Sequence, residues 1–120
     1  MRFYCTDDTV DLEQYPYHVR DVHISDPFIL ADPKSRCYYT YVQFADTERF
    51  PDVETDKEHG VFYVLESKDL IHWSKPQICF RQNNFWADKD YWAPEVHIWK
   101  GRYYLFSSFR ADGHYRKCQC

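Results

Sequence analysis

His23-Ile24-Ser25-Asp26-Pro27-Phe28-Ile29-Leu30 and Trp92-Ala93-Pro94-Glu95-Val96-His97 decide how the rest of this chain reads. After a short polar turn each is followed by an aromatic run, Cys37-Tyr38-Tyr39-Thr40-Tyr41 in the first case and Tyr103-Tyr104-Leu105-Phe106 in the second. A carboxylate beside proline, an apolar stretch, a turn and an aromatic strand thus occur twice in the same order. Such recurrence marks an internal structural repeat. Acids at matching places in each unit would face one shared cavity, which points to a neutral, polyhydroxylated ligand.

The segments around these two extend the pattern. Residues 1–20 are polar, interrupted by Pro16, and read as a lead-in. A strand is expected from about Val22 to Ala31, then a turn at Asp32-Pro33-Lys34-Ser35, then a strand from Cys37 to Phe44. Residues 45–59 are charged and aperiodic, which predicts a surface loop. Gly60 to Ser67 is almost continuously apolar and predicts a strand buried on both faces. Ser67-Lys68-Asp69-Leu70-Ile71-His72-Trp73 is a tight connection that turns Leu70 and Trp73 inward and keeps Lys68 and Asp69 wet. Gln77 to Arg81 is an outer strand and 82–91 an aromatic-rich loop. The second unit opens at Pro94 to Trp99, turns at Lys100-Gly101-Arg102 where glycine takes positive φ easily, and pairs back from Tyr103 to Phe109. A further strand starts near Tyr115.

Composition sets the class. The 120 residues are 44% hydrophobic and 20% aromatic, with 11 Tyr, 9 Phe and only 3 Gly, which excludes low-complexity and disordered chains. Aromatic and β-branched residues outweigh helical periodicity, so the fold is all-β. A net charge of −4 with scattered basic residues leaves no footprint for nucleic acid or for an anionic membrane surface. The five cysteines are odd in number and lack paired spacing, which points to free thiols in a reducing compartment. Met1 to Val10 has no apolar core and is neither a signal peptide nor a membrane span. These readings together place the chain in the cytoplasm.

Four short strands per unit describe blades of a β-propeller, although sandwiches and barrels also supply many short strands. On this reading residues 1-20 are the lead-in, 21-90 the first blade with its connecting loops, and 91-120 the start of a second, incomplete blade. A strand that stops without a turn predicts a fragment, with open edges through which copies self-associate.

In this order and spacing, Asp26-Pro27-Phe28-Ile29-Leu30, Ser67-Lys68-Asp69-Leu70-Ile71-His72-Trp73, Trp92-Ala93-Pro94-Glu95-Val96-His97 and Gly101-Arg102-Tyr103-Tyr104-Leu105-Phe106 resemble the N-terminal part of glycoside hydrolase family 43. Those enzymes are five-bladed propellers that release xylose or arabinose from plant polysaccharides. The resemblance runs from about His23 onward and covers the first two-fifths or so of such a catalytic domain. It implies an inverting hydrolase of the β-xylosidase or α-L-arabinofuranosidase type, with a carbohydrate as partner and no required cofactor. It implies that Asp26 is the general base. The orienting aspartate and the general acid belong to later blades, so the fragment alone is expected to be inactive. Some relatives hold calcium on the propeller axis, which the resemblance leaves open for this chain. Two positions differ from the common pattern: Ser25 stands where many relatives carry a basic residue, and no glycine occurs near the end of Tyr39-Thr40-Tyr41-Val42-Gln43.

The residue chemistry accords with that implication. Glycosides break through an oxocarbenium-like transition state assisted by two carboxyl groups, roughly 6.5–9.5 Å apart in inverting enzymes so that a water fits between them. A water-activating base needs a polar, hydrogen-bonded setting. Sugar rings present apolar C–H faces that pack on flat aromatic rings. Trp92 and Pro94 are therefore expected as pocket wall, Trp86 as rim, and Trp73 and Trp99 as core, with Phe28 as pocket wall or core. Glu95 either bonds sugar hydroxyls or holds a structural contact, with His97 on the same strand face. Without the resemblance Asp26 would read as an ordinary turn aspartate before proline. The six histidines show no metal-ligand spacing. A non-catalytic carbohydrate-binding propeller is the alternative, and a related family acting on fructose-containing sugars is a third reading, disfavoured by the absence of a Trp-x-Asn-Asp-Pro start.

Overall fold

A computed structural model describes residues 10–43, 51, 53, 61–83, 85–114 and 117–119, the last three by their backbone alone. The expected strand at 37–44 therefore lies outside the described residues at Phe44, as do nearly all of the expected loop and the thiols of Cys5, Cys118 and Cys120. The chain forms two antiparallel sheets. β1 (Tyr17–His18), β2 (Phe28–Asp32), β3 (Cys37–Val42), β4 (Val61–Ser67), β5 (His72–Trp73) and β6 (Gln77–Arg81) build the first. β7 (Lys89–Trp99), β8 (Arg102–Arg110) and β9 (Lys117–Gln119) build the second.

In the first sheet β2, β3 and β4 form a meander, and both β5 and β6 pair with β4, so the sheet is four strands wide at its centre. β1 adds to β5 through Tyr17↔Trp73 and His18↔His72. Tyr15, just ahead of it, is buried, and its hydroxyl donates to Glu66 Oε1. The lead-in thus contributes to the first sheet, which its polar composition did not signal. Among the described residues no helix is long and apolar enough to cross a membrane.

Three turns follow from local chemistry. Asp32 closes the β2–β3 turn: its Oδ1 accepts from the Lys34 amide (2.9 Å) and its Oδ2 from Ser35 Oγ (3.0 Å), while Arg36 takes a φ of 58°. At Ser67–Trp73, Ser67 Oγ accepts from the amides of Asp69 and Leu70. Asp69 Oδ1 in turn accepts from those of Ile71 (2.8 Å) and His72 (2.7 Å). Serine and aspartate are suited to this because their short side chains substitute for backbone acceptors. Leu70 and Trp73 pack into the core as expected, but Asp69 is a structural hub only partly open to solvent, with Oδ2 2.7 Å from His72 Nδ1. In the β7–β8 hairpin Trp99↔Arg102 pair across Lys100 (φ 48°) and Gly101 (φ 73°). Two successive positive φ values make the two-residue turn whose twist matches that of the strands.

The core has two parts. One lies on the first sheet and joins Tyr38, Val42, Val61, Tyr63, Leu65 and Trp73. The other lies between the sheets, where Phe62 meets Ala87, Tyr91 and Phe109. Alternation along β4 sends 61, 63 and 65 to one cluster and 62 to the other, so this strand is covered on both faces as its apolar run predicts.

Three expectations change. The strand predicted from Val22 begins at Phe28, because Asp26 has a φ of 48° and Pro27 has no amide for a ladder. The loop predicted at 82–91 already contains the start of β7, whose two bulges hide the period of two. Trp99, expected in the core, is 59% exposed beneath Lys100 Nζ, which lies 4.3 Å from its ring centre.

Candidate functional site

One key segment leads into β2 of the first sheet and the other lies in β7, which opens the second, and in both the backbone departs from regular geometry. Asp26 sits with positive φ immediately before β2. Aspartate tolerates this left-handed region better than most residues. Its side chain is solvent-exposed, and its neighbour Ser25 is exposed as well. Phe28, the first residue of β2, pairs with Tyr41 and points toward the second sheet, where its ring lies 5.3 Å from that of His97. Phe28 is half-buried at this junction and so stands between the two roles expected for it.

The Trp92 segment is bulged twice. Lys89 to Trp92 spans three residues on β7 against two from Arg110 to Ser108 on β8, and Trp92 to Glu95 spans three against two from Ser108 to Phe106. Asp90 (φ 53°) and Ala93 (φ 49°) absorb the extra residues. Left-handed backbone at a residue carrying Cβ costs about 1–3 kcal/mol and persists only where its surroundings hold it. Here Ser107 Oγ donates to the Trp92 carbonyl (2.5 Å), and the Ala93 amide donates to Gln43 Oε1 (3.1 Å). Pro94, expected as pocket wall, is instead fully buried, because a residue with no amide to satisfy packs under the bulge without cost. Trp92 is 45% exposed beside the bulges and stands outside the groove lined by Glu95 and His97.

Gln43 reaches both segments. While Oε1 accepts from Ala93, Nε2 donates to Ser25 Oγ at 3.4 Å. The residue at the end of the aromatic strand, singled out in the sequence only for the missing glycine, therefore connects the Asp26 turn to the Trp92 bulge. The relevant signal was a long polar side chain closing an otherwise apolar strand.

Glu95 projects with His97, Trp99, Tyr104 and Phe106 into a groove of about 390 Å³ on one face of the β7–β8 hairpin. Its Oε1 lies 3.4 Å from His97 Nε2, an ion pair when the imidazole is protonated. The structural contact considered for Glu95 from sequence is therefore to this histidine. His97 also packs on Phe106, with centroids 5.8 Å apart. Trp86 is partly exposed and packs against Phe85 and His114 beside the inter-sheet aromatic cluster. Among the described residues no group of three or more His, Cys, Asp or Glu side chains is placed to hold a metal ion.

Asp32 is almost fully buried at the junction of the two sheets, and Tyr103 Oη donates to its Oδ2 at 2.6 Å. Burial opposes its charge, but the bonds from Tyr103, Lys34 and Ser35 outweigh that effect and hold the carboxyl below its ordinary range. The same balance holds at Asp69, where burial is outweighed by the bonds from His72 and the Ile71 amide. Both acids stabilise turns that carry the strands into the site. Neither was marked as such in the sequence, because a turn aspartate looks alike whether it is solvated or buried.

The chain is similar to known proteins in sequence and in fold. The family model described as glycosyl hydrolases family 43 matches residues 18–119. Among solved structures, an endo-arabinase from Bacteroides thetaiotaomicron is similar, with a TM-score of 0.70 and 31% sequence identity over 87% of this chain. The chain spans 32% of that enzyme's length. No curated protein matches it by sequence. An all-β pair of antiparallel sheets, a positive-φ turn and a doubly bulged strand at their junction, and a family match over nearly the whole sequence lead to one conclusion: the chain belongs to glycosyl hydrolases family 43, and its sheets are propeller blades.

Proposed function

We propose that the protein carrying this chain is a glycoside hydrolase acting on arabinose-containing polysaccharides, with xylose-containing chains as the second substrate class. Asp26 serves as the general base of an inverting reaction in a five-bladed propeller, deprotonating the water that attacks the anomeric carbon. The sheet from Tyr17 to Arg81 makes the first blade, so that its edge lies ahead of residue 21, and the strands from Lys89 open the second. Trp92 with Phe28 forms the apolar wall against the sugar, Pro94 supports it from beneath, Glu95 bonds the sugar hydroxyls, and Trp86 contributes to the rim.

The observation that carries this reading is the meeting of the Asp26 turn and the Trp92 bulge through Gln43. It brings a solvent-facing carboxylate and an exposed indole to the junction of two blades, where a carbohydrate ring needs a base on one side and a flat apolar face on another. Likeness to an endo-arabinase supports arabinose over xylose in this reading.

The test is an assay of the complete protein on arabinan, aryl α-L-arabinofuranoside and aryl β-xyloside, with the anomeric form of the released sugar followed by NMR. Release of sugar with inversion is expected. Binding of arabino-oligosaccharides without any release would instead establish a carbohydrate-binding propeller, and release with retention would remove Asp26 from the role of base.

A further inference from the structure

We infer that Gln43 is a positioning residue that sets the Asp26 turn against the Trp92-Ala93-Pro94-Glu95 bulge; the inference rests on the glycosidase reading above. Each segment is irregular at one residue with positive φ, Asp26 at 48° and Ala93 at 49°. Neither position is glycine, so neither conformation is the backbone's own preference. Some contact has to hold each in place.

The primary amide is suited to holding both. The bulge takes the Ala93 amide out of the β7–β8 ladder, at an exposed position where the freed N–H turns to an acceptor from a side chain or water. Gln43 Oε1 supplies it at 3.1 Å. That contact fixes which end of the amide is oxygen, so Nε2 is directed to Ser25 Oγ, next to Asp26. A single planar group thus couples two turns from different sheets. Gln43 itself stands one residue beyond β3, on the face that Tyr41 presents to the second sheet. Its backbone is anchored by the five-pair registers of β3 with β2 and β4. A glycine here would leave Ala93 without this acceptor, and the bulge and base turn would be set independently.

The consequence is kinetic. Displacing a catalytic group by about 1 Å can cost on the order of 100-fold in rate. Gln43→Met keeps the length of the side chain and removes both hydrogen bonds. In the complete protein it is expected to lower kcat by about tenfold or more, with KM for an aryl arabinofuranoside changed less and Tm nearly unchanged. The Ala93 amide should exchange with deuterium faster. Gln43→Glu keeps an acceptor for Ala93 and is expected to restore the protection of that amide, a pattern that simple loss of packing would not produce. A Gln43→Met protein with kcat within twofold of wild type, or with unchanged Ala93 exchange, would overturn the inference. So would a fall in kcat that tracks global unfolding while Gln43→Glu leaves Ala93 equally unprotected. Failure of the glycosidase reading is separate: it appears as an inactive wild-type protein, and the Ala93 exchange measurement still decides whether Gln43 braces the bulge.

Discussion

Tyr103 and Asp32 are 71 residues apart in sequence, yet the Tyr103 hydroxyl donates to Asp32 Oδ2 at 2.6 Å. The bond joins the β2–β3 turn of one blade to the first residues of β8 in the next. It therefore acts at the level of blade docking, beside the Gln43 link at the other end of the same junction.

Tyr103→Phe is expected to reduce stability at neutral pH and to do so less in acid. The sign follows from Asp32, whose carboxyl is held below its ordinary value with Tyr103 as the strongest of its lowering contacts. A depressed carboxylate stabilises the fold above its unfolded pKa, about 3.9, and that contribution disappears as pH falls through the folded value. Urea titrations of both proteins at pH 7 and pH 3 check this; an equal gap at the two pH values would refute it.

Asp26→Asn is expected to abolish turnover in the complete protein while sugar binding and Tm stay close to wild type. The side chain is exposed, so the substitution removes charge without disturbing a core. Calorimetric titration with an arabino-oligosaccharide beside a rate assay separates the two effects. Wild-type turnover would end the role proposed for Asp26.

Phe62 is fully buried between the sheets, with ring centres of Phe80, Tyr91 and Phe109 at 6.0, 5.6 and 6.1 Å. Phe62→Ala is expected to cost about 3–5 kcal/mol. That is a large share of a domain's stability, and near-ultraviolet circular dichroism should show the loss of aromatic packing.

Asp69→Ala is expected to destabilise the protein more than Asp69→Asn. The amide oxygen of asparagine still accepts from the Ile71 and His72 amides, whereas alanine leaves both without that partner. Each lost backbone partner costs about 1–3 kcal/mol if it remains buried. Thermal unfolding of the two variants ranks them, and a reversed order would show that charge on Asp69 matters more than its turn geometry.

Thr40 is buried, and its Oγ1 has no hydrogen-bond partner among the described residues. Thr40→Val replaces that hydroxyl by a methyl of similar size. It is expected to raise stability by about 1 kcal/mol, because the hydroxyl loses water on folding without gaining a partner. A fall in Tm would mean that the hydroxyl is satisfied in solution.

Some of this was legible from residues alone. Strand β4 announced itself by an unbroken apolar run, and the β7–β8 hairpin by Lys100-Gly101 between two aromatic stretches. The Ser67–Trp73 turn was readable because serine, aspartate and histidine act there on backbone a few residues away. Local hydrogen bonding and period-two burial are written in short windows of sequence, which is why the all-β blades and the family pattern could be read there.

Other features exist only once the sheets pack. Asp32 and Asp69 look alike as turn aspartates, but only Asp32 receives a hydroxyl from the neighbouring blade. Trp73 and Trp99 both appeared to be core residues; the first is enclosed by the first sheet, and the second lies open on the hairpin face. Gln43 attracted notice only as a missing glycine, and its two partners lie 18 and 50 residues away. The sequence by itself determined most of the strands, the main turns and the family pattern, because those depend on side chains acting on nearby backbone, while β1 and the starts of β2 and β7 escaped it. Only the tertiary structure decided which polar groups join Asp26 to Trp92, because a hydrogen bond across a blade junction depends on distance and direction that no sequence interval encodes.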